Sequence, residues 1–365
     1  MLRSVLSLLC FASISFLASS QNKSIVVEVR RNIEILSTLN NQISTEFLKD
    51  SVEDPFLYRT TRLMRLNYDA FKKYRHHPAV RATQEMSDKI GTGVYLLGLF
   101  FDEFPSATQK LPVSEPILKA IHPNLDSASR LVNQYILQVA SFYHDTNFDE
   151  YFDGNQLLYQ LAIAEVTKNL PGKDFIPTLE SYYGSGKSKY HIIVMPSFKS
   201  GWGMAWETEK EGSKEVFNIV APVQEQVINK KGIVIEAGYD NASEIRNLSV
   251  HEFGHSFVNP LTQSSANEEI INRFKQLYKP IPSQGQYTDW LTVFNEHTVR
   301  AGEIRIASVM GLEKESARLR VEYKAWMYLP HFIDQLRFYE NNRTKYKSFE
   351  SYLPDLVSSL EKIKK

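Results

Sequence analysis

The 365-residue chain contains a single cysteine, Cys10, so it cannot form an intramolecular disulfide. Charge of one sign is not in excess either: Lys and Arg number 42 together, as do Asp and Glu, and the formal net charge is zero. Without a positive surplus there is no electrostatic footprint for nucleic acid or for an anionic membrane. These absences exclude a disulfide-stapled scaffold and a basic nucleic-acid-binding domain, and they direct the search for function to a local site.

Long apolar runs are also absent, apart from one at the N-terminus. Arg3 precedes an almost wholly apolar stretch over residues 5–17, and small residues follow at 18–20. This order is typical of a secretory signal peptide, which we assign to residues 1–20, with a retained N-terminal anchor as the alternative. The run is too short for a comfortable transmembrane helix. We therefore predict an exported protein, periplasmic or extracellular, without stable membrane insertion.

The remaining chain divides into regions of different periodicity. Apolar residues recur at helical spacing through residues 21–172, as at Leu36, Leu39, Ile43 and Phe47, which predicts a mainly helical N-terminal region. Short runs rich in Val and Ile then predict the strands of a small sheet, at residues 190–195, 216–220 and 232–237. Helical periodicity returns from Ser243 to the end. The order of these regions predicts an α+β fold.

Residues 248–257 contain the pattern His-Glu-x-x-His, as His251, Glu252 and His255. Residues four apart on a helix share one face, so both histidines can point at one metal ion. Zn²⁺ suits two imidazoles plus a third protein ligand, and it lowers the pKa of a bound water to about 7. Glu252 stands beside that water as the general base. The alternative is a helix that carries two coincidental histidines.

The flanks of this pattern fit a helix buried at the floor of a cleft. Every other residue of 248–257 is uncharged, and an extra charge would be costly to bury there. Ser243 or Asn247 is expected to cap the helix, and Asn259–Pro260 to end it. Gly254 costs helix stability, roughly 1 kcal/mol relative to alanine, so we expect another segment to approach closely at that position.

A third ligand has to come from elsewhere, and Glu296 is the best candidate. It lies in a second predicted helix, at residues 290–301, among strongly apolar neighbours. The alternative for Glu296 is a surface ion pair with Arg300 at i+4. His297 is a rival ligand or a donor to the developing oxyanion. Weaker ligand candidates are Glu268, Glu269 and Glu303.

Two further roles cannot be ranked from the sequence. The carboxylate that often orients a zinc-bound histidine is expected four residues after the ligand glutamate, where Arg300 stands. A metzincin is excluded, because Val258 and Leu261 stand where its pattern continues with Gly and His. Candidates for the oxyanion-stabilising group are His297, Arg300, Tyr287, Tyr239 and Tyr323.

Residues 251–260, reading His-Glu-Phe-Gly-His-Ser-Phe-Val-Asn-Pro, resemble a family of exported bacterial proteins described by a domain of unknown function and suspected of being zincin-like metallopeptidases. Residues 27–36, 77–80 and 142–148 are also similar to that family, and Glu296 with Arg300 fits it. The resemblance extends over nearly the whole mature chain. It implies a bacterial envelope or extracellular protein, and it implies little about the substrate.

We therefore predict a zincin-like, gluzincin-type catalytic region at 173–365, with a small mixed sheet, the active helix and a helical lobe. The expected function is a zinc metallopeptidase, in which His251, His255 and Glu296 bind Zn²⁺ and Glu252 is the base. The expected partner is a peptide or protein substrate, aligned by strand addition along residues 216–220 or 232–237. The alternatives are a catalytically silent zincin-fold binding protein and a zinc hydrolase of a non-peptide bond.

Overall fold

A computed structural model of the protein describes residues 23–43, 60–280 and 288–363. The predicted signal peptide at 1–20, Phe47 and Tyr287 lie outside these ranges. Within them the chain is mostly helical, with one four-stranded sheet and a two-stranded ribbon, which confirms the predicted α+β class. None of the helices in the described ranges is both long enough and apolar enough to cross a bilayer.

The strands and helices are numbered in chain order. The strands are β1 (Ile25–Glu28), β2 (Lys189–Val194), β3 (Gly203–Lys210), β4 (Ser213–Val220), β5 (Val227–Ile228) and β6 (Val234–Glu236). The helices of the first half are α1 (Arg31–Ile43), α2 (Arg62–Phe71), α3 (Pro78–Ile90), α4 (Glu115–Ile121), α5 (Leu125–Asp145), α6 (Phe148–Gly154), α7 (Gln156–Lys168) and α8 (Phe175–Tyr183). Those of the second half are α9 (Ala242–Thr262), α10 (Ser265–Asn272), α11 (Trp290–Val309), α12 (Glu313–Glu322), α13 (Leu329–Asn341) and α14 (Phe349–Ser359).

The main sheet has the strand order β1-β2-β4-β3. Strands β1, β2 and β4 are parallel, and β3 joins the sheet as an antiparallel edge strand through a hairpin with β4. The expected strands at 190–195 and 216–220 correspond to β2 and β4, whereas 232–237 forms β6 in the separate ribbon. Strand β3 was not predicted from the sequence, and it is the strand that contacts α9 most extensively.

Both faces of the main sheet are covered by hydrophobic side chains. Because side chains alternate along a strand, Tyr190, Ile192 and Val194 of β2 face a core shared with α8, α9 and α11. Ile193 and Met195 face a second core, built largely from α1 to α7. The sheet therefore separates the N-terminal helices from the helices that carry the candidate site. The boundary that we placed at residue 172 stays a prediction.

Helix α9 differs at both ends from the helix that we expected. Its N-cap is Asn241, whose side chain accepts a hydrogen bond from the backbone N–H of Glu244, 3.1 Å away. It also continues through Pro260 to Thr262. A proline inside a helix leaves the carbonyl four residues earlier without its usual donor. Here that carbonyl belongs to Ser256, and the buried Lys187 Nζ donates to it over 2.8 Å.

Helices α9 and α11 pack closely around the hydroxyl group of Tyr183. A methyl group added at Gly254 of α9 would lie 3.2 Å from the Tyr183 oxygen and 3.1 Å from Val299 of α11. A methyl group added at Gly302 of α11 would lie 2.9 Å from the same oxygen. The close approach that we expected at Gly254 is therefore present. It allows α9 and α11, which carry the candidate ligands, to pack against each other.

We expect Gly302→Ala to lower the free energy of unfolding by about 1–2 kcal/mol, because overpacking against the Tyr183 oxygen outweighs the roughly 1 kcal/mol gain in helix propensity. In a Tyr183→Phe background the closest remaining atom lies 3.9 Å away, so the same substitution should be neutral or stabilising. Urea denaturation of the four proteins measures this coupling. An equal penalty in both backgrounds would contradict the packing that we describe.

Candidate metal centre and cleft

Three side chains from α9 and α11 meet at one point. His251 Nε2 and His255 Nε2 lie 3.2 Å apart. Glu296 places Oε2 at 3.7 Å from His251 Nε2 and Oε1 at 3.4 Å from His255 Nε2. Ligand atoms at about 2.0–2.1 Å from a tetrahedral ion are separated by about 3.4 Å. The three residues that the sequence proposed as ligands therefore have the spacing of a tetrahedral site, and they could hold a metal ion.

The charges of the site favour an ionised Glu296. Burial opposes ionisation, but the hydrogen bond with His255 and the charges of His251, His255 and Arg300 hold the pKa of Glu296 at about 2. Arg300 NH2 lies 3.2 Å from Glu296 Oε2, and both side chains are largely buried, at 12% and 9% exposed. The i,i+4 pair that we considered as an alternative therefore forms, but it forms inside the site and leaves Glu296 facing both histidines.

Glu252 lies next to the two histidines, on the side of α9 that faces β3. Burial raises the pKa of the Glu252 carboxyl. A β-carbon added at Gly203 of β3 would lie 3.0 Å from Glu252 Oε1 and 3.0 Å from Leu248 Cδ1. A larger residue at position 203 would require these two side chains to shift by a few tenths of an ångström, so β3 begins close to the Glu252 carboxyl group.

The histidines are oriented from behind by groups that the sequence did not assign. His251 Nδ1 lies 3.4 Å from Glu303 Oε2, and the Tyr323 hydroxyl donates to both Glu303 oxygens at 3.0 Å. His255 Nδ1 lies 3.2 Å from Asn259 Oδ1. Glu303, which we weighed as a ligand, therefore supports His251 instead. The indication in the sequence was its spacing: Glu303 lies seven residues, or two helical turns, after Glu296 and so shares its face of the helix.

We expect Glu303→Gln to weaken metal affinity by about 10- to 100-fold, because groups behind a ligating histidine fix its orientation and raise its basicity. Competition with a chromophoric chelator measures this affinity. Glu322→Gln is the matched control. Glu322 lines the same cleft without contacting His251, and its substitution removes the same charge. Equal weakening in both variants would show a general charge effect instead of orientation.

The site opens into a cleft that runs along the outer edge of β3. In the part of the chain that the structure describes, no strand pairs with that edge. Strand β4, one of the two strands where we expected substrate pairing, lies between β2 and β3 and has both edges paired, so that alternative was wrong. The other alternative, residues 232–237, forms β6 in the separate ribbon and stays untested. The larger part of the cleft is a cavity of about 840 Å³. Its lining includes Gly203, Met204, His251, Glu252, Arg300 and Tyr323.

A family model described as domain of unknown function (DUF4932) matches residues 24–359. The chain belongs to this family. No curated protein and no solved structure matches it. Membership of the DUF4932 family carries no activity with it, so the function has to be inferred from the site.

In this DUF4932 chain, His297 does not belong to the site. Its side chain is 2% exposed, and Nδ1 lies 2.7 Å from the backbone carbonyl of Val293. Burial lowers the pKa of His297 to about 4, which keeps the imidazole neutral. The ring packs against the aromatic side chains of Trp326, Tyr328 and Phe332. His297 is thus a core residue, and our expectation that it could be a ligand or an oxyanion donor was wrong.

The other candidates divide between the cleft and the rest of the molecule. Tyr323 and Arg300 line the large cavity, and the Arg300 guanidinium lies 4.6 Å from the Tyr323 ring centroid. Tyr239 is fully buried and donates to the Val220 carbonyl, so it is a core residue. Glu268 and Glu269 lie on the exposed surface of α10, outside the group of candidate ligands. Of the candidates for the oxyanion-stabilising role, Arg300 and Tyr323 are therefore the two that the structure places at the cleft.

Proposed function

We propose that the protein is a zinc-dependent metallopeptidase with a zincin-like arrangement of sheet and active helix. The observation that carries this proposal is the convergence of His251, His255 and Glu296 at tetrahedral spacing, with Glu252 beside them in an open cleft. Two imidazoles and one carboxylate are a donor set that suits Zn²⁺, and three protein ligands leave one position open, as in catalytic zinc sites.

The residues around the site have separate tasks in peptide hydrolysis. A bound Zn²⁺ supplies Lewis acidity, which polarises the scissile carbonyl and lowers the pKa of water. Glu252 takes a proton from the attacking water and delivers it to the leaving nitrogen as the C–N bond breaks, and its raised pKa suits both steps. Arg300 lines the cleft and is the proposed donor that stabilises charge on the carbonyl oxygen, since the Tyr323 hydroxyl already donates to Glu303.

The shape of the cleft supports a peptide substrate over a small molecule. Among the described residues no strand pairs with the outer edge of β3, and an extended peptide can pair with such an edge. Cavities lie on both sides of the metal-binding residues, so a chain can continue in both directions. We therefore propose β3, instead of residues 216–220 or 232–237, as the strand that pairs with the substrate.

The experiment that tests the proposal is elemental analysis of protein purified without chelator, followed by digestion of a mixed peptide pool. We expect about one zinc per chain, and cleavage that a chelator abolishes and added zinc restores. Protein free of metal would overturn the proposal in favour of a binding protein. Bound zinc with hydrolysis of esters or cell-wall amides, and none of peptides, would favour the non-peptide hydrolase.

We also propose that the protein is exported, which the signal-peptide pattern at residues 1–20 supports. Fractionation of expressing cells and N-terminal sequencing of the exported form test this. A mature N-terminus near residue 21 is the expected result, and full-length protein retained inside the cell would contradict it.

A further inference from the structure

We infer that the substrates carry an uncharged, apolar or aromatic side chain on the acyl side of the scissile bond. This inference rests on the proposed peptidase function and adds the substrate class. The pocket that would receive the side chain is a cavity of about 240 Å³ between α9, β3 and the start of α4. Its walls include Pro116, Ala205, Trp206, His255, Ser256 and Pro260.

The position of Glu252 decides which end of the substrate reaches this pocket. Glu252 and His251 line the large cavity, whereas His255 lines the small one. Because the general base must hand its proton to the leaving nitrogen, the amine side of the scissile bond has to lie toward Glu252. The acyl side then lies on the other side of the metal-binding residues, at the small pocket.

Antiparallel pairing of the peptide with β3 gives the same placement. Along β3, Gly203 and Met204 line the large cavity, and residues 205–207 line the small pocket. A peptide that pairs antiparallel with β3 runs from residue 207 toward residue 203, and so its N-terminal part lies at the small pocket. The acyl side of a peptide bond is its N-terminal side, which agrees with the position of Glu252.

The charged groups of the small pocket are already neutralised. Glu207 contacts the buried Lys187 Nζ and lies 3.5 Å from Lys214 Nζ, and the Asn259 side chain contacts His255. A charged substrate side chain would therefore find no opposite charge to compensate its loss of water.

The remaining walls are apolar or carry uncharged donors. Pro116, Ala205 and Pro260 offer apolar surface, and so does the Trp206 ring. The Trp206 indole N–H and the Ser256 hydroxyl are buried and have no hydrogen-bond partner among the described residues. Both groups are uncharged, so they cannot compensate a charged substrate side chain. The pocket therefore favours side chains such as Leu, Met, Phe and Tyr.

Cleavage profiling of a proteome-derived peptide library with zinc-loaded protein tests the inference. We expect Leu, Met, Phe and Tyr to be enriched at the acyl position, and Asp, Glu and Lys to be depleted. Ala205→Leu fills the pocket and should lower kcat/KM for these peptides by about tenfold or more. Glu209→Leu is the matched control, because Glu209 is an exposed residue of the same strand and is not among the residues that line either cavity.

A binding experiment gives a result that does not depend on turnover. We expect Glu252→Gln protein with zinc to bind a Leu-containing peptide at least about tenfold more tightly than its Asp counterpart in calorimetry, with the difference lost in Glu252→Gln/Ala205→Leu. Cleavage or binding without this preference would overturn the inference and leave the peptidase proposal standing. If wild-type protein cleaved no peptide, the peptidase proposal would fail, and the calorimetric comparison would still decide whether the pocket is selective.

Discussion

Glu252→Gln is expected to retain zinc and to lose peptide hydrolysis by about 10²- to 10⁴-fold in kcat, the range typical of a lost general acid–base group. The amide keeps the size of the side chain and its position under Gly203, but it cannot accept the proton from water. The folded protein should be at least as stable as wild type, since burial opposes ionisation of the Glu252 carboxyl and the neutral amide avoids that cost. Elemental analysis, chemical denaturation and kcat together measure these three effects.

Glu244→Gln is the matched control for this substitution. Glu244 lines the same cavity, carries the same charge, and has a pKa that burial likewise raises. It lies outside the candidate ligand group, so its removal should leave kcat within a few-fold of wild type. If Glu252→Gln kept more than about a tenth of the wild-type rate, another group would have to be the base.

The active helix and its ligands could be predicted because the information is local. The spacing of His251, Glu252 and His255 determines that they share one region of a helix, whatever the rest of the chain does. The choice between Glu296 and His297 was harder, because neighbouring residues on a helix point about 100° apart, and only packing decides which one faces the cleft. The structure buries His297 among aromatic rings and brings Glu296 to the histidines.

The features that the sequence did not reveal depend on distant contacts. Strand β3 borders the cleft and is only partly buried over most of its length, so it lacks the Val- and Ile-rich pattern that identified β2 and β4. The continuation of α9 through Pro260 depends on Lys187, which is 69 residues from the carbonyl that it satisfies. The role of Glu303 depends on its contact with His251, which lies on a different helix, α9. Local sequence patterns therefore could not predict these contacts.

Zinc is expected to stabilise the wild-type protein by about 4 kcal/mol when its free concentration is 1,000 times the dissociation constant, because the ion binds the folded chain and not the unfolded one. The ligands come from α9 and α11, so binding adds a link between the two helices that pack around Tyr183. Glu296→Ala removes one of three ligands, and its stability should be nearly independent of zinc at the same concentration. Chemical denaturation with and without buffered zinc measures the difference.

Comparing the free energy of unfolding of each protein with and without zinc separates the loss of a metal ligand from other losses of stability. Glu296→Ala also removes the Glu296–Arg300 ion pair, and that cost is the same with and without zinc. Glu268→Ala serves as the control, because Glu268 was a weaker candidate ligand and lies exposed on α10. It should keep the full zinc-dependent gain. If Glu296→Ala kept the zinc-dependent increase in stability as well, the third ligand would have to be another residue, and the proposed metal site would be wrong in that respect.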